Sequence, residues 1–154
     1  MPDIKLCDLG SVYLEKEFES NVITTLPYRA PDVTMGHKIG YQCDVWSIGC
    51  TLFELFKGKI LIDAENVQDL LRLIHLKIAP FTGDQVKRIN LKLSEDGNKV
   101  NILNENALAK MKDKAKKMPS YFDLNDRGEK VLFELICQML DLNPLTRVKL
   151  EDLL

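Results

Sequence analysis

This sequence predicts a mainly α chain, on three observations. Apolar residues between Tyr41 and Phe56 point in nearly every direction around a helix, a later stretch from Val67 and another from Val131 carry helix-period apolar stripes, and strand-like alternation is confined to short runs. With 45% hydrophobic and 29% charged residues over 154 positions, the chain has the material for the packed core of one domain.

Ile4 to Cys7 alternates apolar and polar residues and stops at Asp8-Leu9-Gly10, which reads as a strand running into a tight turn. Ser11 to Asp32 has no clean period; the hydroxyls of Ser20, Thr24 and Thr25 and the prolines Pro27 and Pro31 mark a long loop, and such a loop in a compact domain is usually functional or disordered. Val45, Trp46, Ile48, Cys50, Leu52, Phe53, Leu55 and Phe56 then predict a helix buried on most sides. Asp44 suits its N-terminal cap and Gly58 its C-terminal cap.

Val67, Leu70, Leu71 and Ile74 follow the i, i+3, i+4, i+7 pattern of an amphipathic helix, with Asp69 and Arg72 pointing elsewhere. Ile89 to Leu93 and Val100 to Ile102 alternate at period two around Ser94-Glu-Asp-Gly97, so a hairpin is expected there. From Ala107 to Met118, Leu108, Met111 and Ala115 interleave with Lys110, Lys112, Lys114, Lys116 and Lys117, predicting a basic helix with a solvated face. Val131, Leu132, Leu135, Ile136, Met139 and Leu140 mark a strongly amphipathic helix that Asn143-Pro144 ends, and Leu150 to Leu154 begins another.

Charge and cysteine usage narrow the function classes. The 21 basic and 23 acidic residues sum to −2, which gives no electrostatic reason for direct nucleic-acid or anionic-membrane binding. No apolar run approaches the ~20 residues that span a bilayer, and the N-terminus has no signal core, so neither a secreted nor a membrane-spanning protein is expected. Cys7, Cys43, Cys50 and Cys137 form no C-x-x-C pair and read as reduced thiols of an intracellular protein. His37 and His75 have no acid or cysteine set around them and are read as surface or helix-flank residues.

Four signals fall in one order: Asp8-Leu9-Gly10, then Thr25-Leu-Pro-Tyr28-Arg29-Ala30-Pro31-Asp32, then Asp44-Val-Trp46-Ser-Ile-Gly49, and Asn143-Pro144-Leu-Thr-Arg147 near the end. That order resembles the C-terminal lobe of a eukaryotic protein kinase, from its metal-binding D-F-G turn through the activation loop and A-P-E motif. Leu9 stands for the phenylalanine and Asp32 for the glutamate, each keeping the chemical type. Tyr28-Arg29-Ala30-Pro31 and the long insertion resemble the CMGC group. Ile4-Lys-Leu-Cys-Asp-Leu-Gly-Ser11 and Cys50 to Ile60 are similar to the pre-mRNA-processing-four family of splicing-associated serine/threonine kinases, as is the hairpin expected in the insertion.

The resemblance divides the chain into a strand and metal-binding turn (1–10), an activation segment (11–32), helices of the lobe (41–79), an insertion (80–127) and C-terminal helices (128–154). It implies that Asp8 ligates the Mg²⁺ that bridges the ATP phosphates, a hard cation preferring carboxylate oxygen. It also implies that Thr25 supports the catalytic aspartate, that Asp44 holds backbone amides of the catalytic loop, and that Asp32 and Arg147 form a buried ion pair, arginine being able to bind a carboxylate through two parallel hydrogen bonds. Ser20 and Thr24 are the phosphate acceptors expected in the activation segment; Val22 stands where many CMGC members carry tyrosine. Trp46 reads as a core aromatic. Where the CMGC pattern often has arginine and an aromatic, this chain has Leu26 and Pro27, which leaves proline-directed specificity open.

These residues hold no Gly-rich loop, no lysine and glutamate pair for the phosphates and no His-Arg-Asp loop with its asparagine, parts that precede the D-F-G turn in kinases. The expectation is therefore a fragment or separately encoded remnant: part of an ATP-dependent serine/threonine kinase with splicing proteins among its partners, nuclear, and inactive and poorly packed alone. A non-catalytic lobe serving as a binding or decoy module is the alternative.

Overall fold

The computed structural model describes residues 5, 7–12, 24–36, 40–94, 100–112 and 115–153. Six α-helices are found among them: α1 (Pro31–Thr34), α2 (Gln42–Lys57), α3 (Val67–Lys77), α4 (Gly83–Leu93), α5 (Glu105–Met111) and α6 (Arg127–Met139). Short 3-10 turns cover Leu9–Ser11, Leu26–Tyr28, Met118–Tyr121 and Leu150–Leu153. Among the described residues no helix is long and apolar enough to cross a membrane.

α2 is the element on which the others are built. Val45, Trp46, Cys50 and Phe53 are buried along it, while Ile48, Leu55 and Phe56 stay exposed. Gly58 ends the helix in the left-handed conformation, φ 66°, and its N–H reaches the Glu54 carbonyl at 2.7 Å. α6 crosses close to α2: a methyl group on Gly49 would stand 2.9 Å from Cβ of Met139, so only glycine permits this approach. Lys57 and Glu129 tie the end of α2 to the start of α6 at 2.8 Å, with the ammonium also over the rings of Phe56 and Phe122.

Polar side chains set the starts of α3 to α6, whereas α1 starts at Pro31 without a side-chain cap. Asn66 caps α3 by accepting the Asp69 N–H, and Asp126 caps α6 by accepting that of Glu129. The apolar faces of these helices join one core, with Leu70, Leu71, Ile74 and Ile136 fully buried beside Trp46 and Phe53.

Several sequence expectations are corrected here. The hairpin in the insertion is not formed: Ile89 to Leu93 lies inside α4. Thr82 and Gln85 make a reciprocal capping box that starts this helix, and Val86, Ile89 and Leu93 then face the core at helical spacing while Leu91 is exposed. Val100–Ile102 is an irregular segment whose buried Ile102 receives Arg72 Nε on its carbonyl and donates its N–H to Asn90. Residues 95–99 of that expected turn lie outside the described residues.

Asp44 does not cap α2. The helix begins one turn earlier, with Tyr41 at the cap position, and Asp44 sits in the first turn, where a negative charge still meets the positive end of the helix dipole. The basic helix is shorter than its period suggested and stops at Met111. Of the N-terminal strand, Ile4 and Leu6 lie outside the described residues, and Lys5 and Cys7 are not in a strand. Leu150–Leu153 is a 3-10 turn.

Candidate functional site

The candidate side chains sit on two short segments and on the helix that receives the second of them. Asp8 is exposed and has φ 60°, ψ 63°; among the described residues it is the non-glycine with positive φ. Aspartate tolerates that region better than most residues, and such outliers gather at functional sites. Leu9–Ser11 turns away immediately, with Val12 N–H closing on the Leu9 carbonyl. A single exposed carboxylate suits a magnesium ion that keeps most of its shell from water and substrate phosphates. No group of three or more His, Cys, Asp or Glu converges as an all-protein metal cage among the described residues.

The second segment, Thr24 to Met35, is held from several directions. Thr25 is exposed and its carbonyl accepts the Tyr28 N–H, opening a 3-10 turn whose second residue is Pro27. Tyr28 donates its hydroxyl to Glu54 on α2 at 2.5 Å, and this bond, with burial, pushes the phenol above its usual range. Ser47, also on α2, donates to the Tyr28 carbonyl at 2.9 Å. Arg29 folds back so that Nε and Nη2 both donate to the Thr24 carbonyl, at 3.1 and 2.8 Å. The Thr24 hydroxyl is buried with no hydrogen-bond partner among the described residues.

Asp32 and Arg147 meet 115 positions apart in sequence, Arg147 Nη2 to Asp32 Oδ1 at 2.6 Å, with both side chains buried. The contact is one hydrogen bond and not two parallel ones, because the remaining guanidinium nitrogens are engaged: Nη1 donates to the Gln42 carbonyl at 2.6 Å and Nε to that of Asp141 at 3.0 Å. Its face lies 5.3 Å from the Trp46 ring, so the core aromatic also supports the ion pair. Asp44 is exposed, and its Oδ1 accepts the Cys43 thiol at 3.9 Å. Burial pushes the Cys43 thiol up to about 11, so it is inert as a nucleophile.

The structure thus joins Asp32 to Arg147 and packs the Thr24–Met35 segment on α2, while no hydrogen bond or ion pair among the described residues links Asp8 to Thr25 or Asp44. Ser20 and His37 lie outside the described residues. His75 is not a surface residue: it is half-buried on α3 and its Nδ1 accepts the Phe81 N–H at 3.1 Å. Glu54, Ser47 and the Gln42 carbonyl were not anticipated, since nothing in their local sequence marks them.

Comparison with known proteins converges on one family. The protein kinase domain model matches residues 1–154. The dual specificity protein kinase lkh1 of Schizosaccharomyces pombe is 40% identical over 86 residues, 56% of this chain and 12% of the relative. The probable dual specificity protein kinase madd-3 of Caenorhabditis elegans is 32% identical over 152 residues, 98% of this chain and 17% of its own length. Mouse dual specificity protein kinase CLK4 is 26% identical over 99% of this chain and 32% of the relative. In fold, the crystal structure of the PF14_0431 kinase domain superposes with a TM-score of 0.76 at 21% identity, covering 97% of this chain and 45% of that one. The chain therefore spans less than half of each protein it matches here. Mainly helical, with an acidic turn, a pinned segment and a buried ion pair in kinase order, the chain belongs to the protein kinase domain family.

Proposed function

We propose that this chain is the helical, substrate-side part of an ATP-dependent kinase that phosphorylates serine or threonine in proteins. The observation that carries the reading is Asp8, a solvent-facing carboxylate held in a left-handed backbone conformation at the head of the kinase-ordered motifs. Asp8 would hold Mg²⁺, which supplies charge neutralisation for the phosphates of ATP. Thr25 supports the catalytic aspartate and Asp44 holds catalytic-loop amides; both are exposed, so both are free to meet residues supplied from elsewhere. The Asp32–Arg147 pair and the Tyr28–Glu54 bond fix the segment against which a substrate would lie.

Ser20 and Thr24 are the proposed acceptors of regulatory phosphate. For Thr24 the hydroxyl must first turn out of its buried site, and the Arg29 guanidinium on its carbonyl is a cation close enough to receive the charge. A nuclear, splicing-linked role is supported by the runs from Ile4 to Ser11 and from Cys50 to Ile60. A second reading, that tyrosine is also phosphorylated, is favoured by the dual-specificity names of the relatives.

The test is phosphate transfer by the full-length protein with Mg·ATP, followed by phosphoamino-acid analysis. Asp8→Asn should slow transfer on the order of a thousandfold, the rate equivalent of several kcal/mol of lost charge stabilisation. Its thermal unfolding should be unchanged. Residues 1–154 alone should transfer nothing, and undiminished transfer by Asp8→Asn would sink the proposal.

A further inference from the structure

Two clefts meet where the α3–α4 connection faces the end of α6. The larger, about 400 Å³, has apolar walls including Ile78, Met118, Cys137 and Leu140, and the smaller, about 200 Å³, runs on toward Pro144; Gln85 and Asn143 line both. Met118 and Leu140 are buried and form the floor, whereas Gln85 is half-buried and Asn143 exposed, which puts the two amides at the mouth.

The hydrogen bonds decide what those amides offer. Gln85 Oε1 accepts the Thr82 N–H at 2.8 Å and Asn143 Oδ1 accepts the Leu145 N–H at 3.1 Å. A backbone N–H requires an oxygen, so each amide is held by its carbonyl end and is left with an NH₂ group that has no partner among the described residues. The acidic neighbours then select the acceptor. Asp141, whose oxygens accept the Asn143 N–H and the Thr146 hydroxyl, lines the larger cleft, and Asp84, paired with Lys87 at 3.5 Å, lines the smaller. Arg88 on the same wall is already partnered, so the clefts add no cation to draw an anionic head group and a neutral acceptor is favoured.

We infer that this cleft takes an apolar side chain from an extended peptide segment of a partner protein, whose neutral backbone carbonyls accept hydrogen bonds from Gln85 and Asn143. A volume of this size and apolar lining holds a leucine-sized side chain, and two fixed donors beside it fit the carbonyls of a peptide.

N-acetyl-leucine-N-methylamide carries that side chain between two peptide carbonyls and is the probe. Titrated into the ¹⁵N-labelled protein, it should shift the side-chain NH₂ resonances of Gln85 and Asn143 with Kd on the order of 1 mM, as expected for a dozen or so heavy atoms at ordinary ligand efficiency. Alkylation of Cys137, followed by mass spectrometry, should slow about fivefold at four times Kd, with Cys7 unaffected. Gln85→Glu and Asn143→Asp keep the oxygens that accept the Thr82 and Leu145 N–H groups and remove the donors. Each should fold normally and weaken binding about fivefold. The alanine analogue should bind more weakly, and N-acetyl-leucine, with its free carboxylate, should not compete. Absence of both the NH₂ shifts and Cys137 protection near 20 mM, set by the ~1 mM expectation, would overturn the inference, as would equal binding by both variants or tighter binding of the carboxylate.

Discussion

Arg147 divides its guanidinium among the Asp32 carboxylate, the carbonyls of Gln42 and Asp141, and the face of Trp46. A lysine ammonium cannot reproduce that planar fork. Arg147→Ala should therefore lower the unfolding free energy by about 3–5 kcal/mol, the cost of stranding a buried charge, and Arg147→Lys should recover little of it. Urea denaturation measures both, and an Arg147→Ala protein of wild-type stability would contradict the role assigned to the pair. His75 carries a pH dependence. Burial holds its imidazole below the usual 6.5, and protonating Nδ1 would remove the acceptor of the Phe81 N–H. As pH falls below about 6.5 the unfolded chain takes up a proton that the folded chain refuses, so stability declines until the folded His75 also titrates. Thermal melts at pH 7.5 and 5.5 should show this fall, and it should shrink in His75→Gln, whose amide oxygen can take the Phe81 N–H. Equal slopes in both proteins would remove His75 as the cause.

The α4 helix shows how two periods compete in one stretch of sequence. Ile89, Leu91 and Leu93 fit an alternating strand, yet Leu91 is 73% exposed and Ile89 is 1% exposed, which only the helical period explains. Ile89→Ala should cost about 2–5 kcal/mol, whereas Leu91→Ala should stay within about 0.5 kcal/mol. Equal losses in denaturation would restore the strand reading. The missed signal was Thr82 followed three residues later by Gln85, a helix start written ahead of the ambiguous run. α2, α3 and α6 were legible because an amphipathic face is local information, and Asp32 with Arg147 was legible through the motif order alone. Glu54, Ser47 and the Gln42 carbonyl were not, because their partners arrive only when α2 receives the Thr24–Met35 segment. The acidic turn could be located in sequence, but the positive φ of Asp8 could not, since aspartate is common in ordinary turns.

At the scale of the molecule, α2 has an unfinished side. Leu55 is 77% and Ile48 38% exposed on a helix that otherwise runs through the core. Residues 1–154 alone should self-associate through this face. Leu55→Lys should reduce the associated fraction in sedimentation velocity without lowering stability by more than about 0.5 kcal/mol, and an unchanged distribution would place the association elsewhere. The Asp32–Arg147 pair also has a meaning in time. A ribosome adding about 5–20 residues per second needs on the order of ten seconds to travel the 115 positions between the two residues. Through that interval the Asp32 carboxylate has no Arg147 to seat it, and closing so long a loop is slow compared with forming helices. Any product halted before Arg147 emerges leaves Asp32 without its cation, and the Thr24–Met35 segment then rests on its bonds to Glu54 and Ser47 of α2. All six described helices are therefore made before Asp32 can be seated.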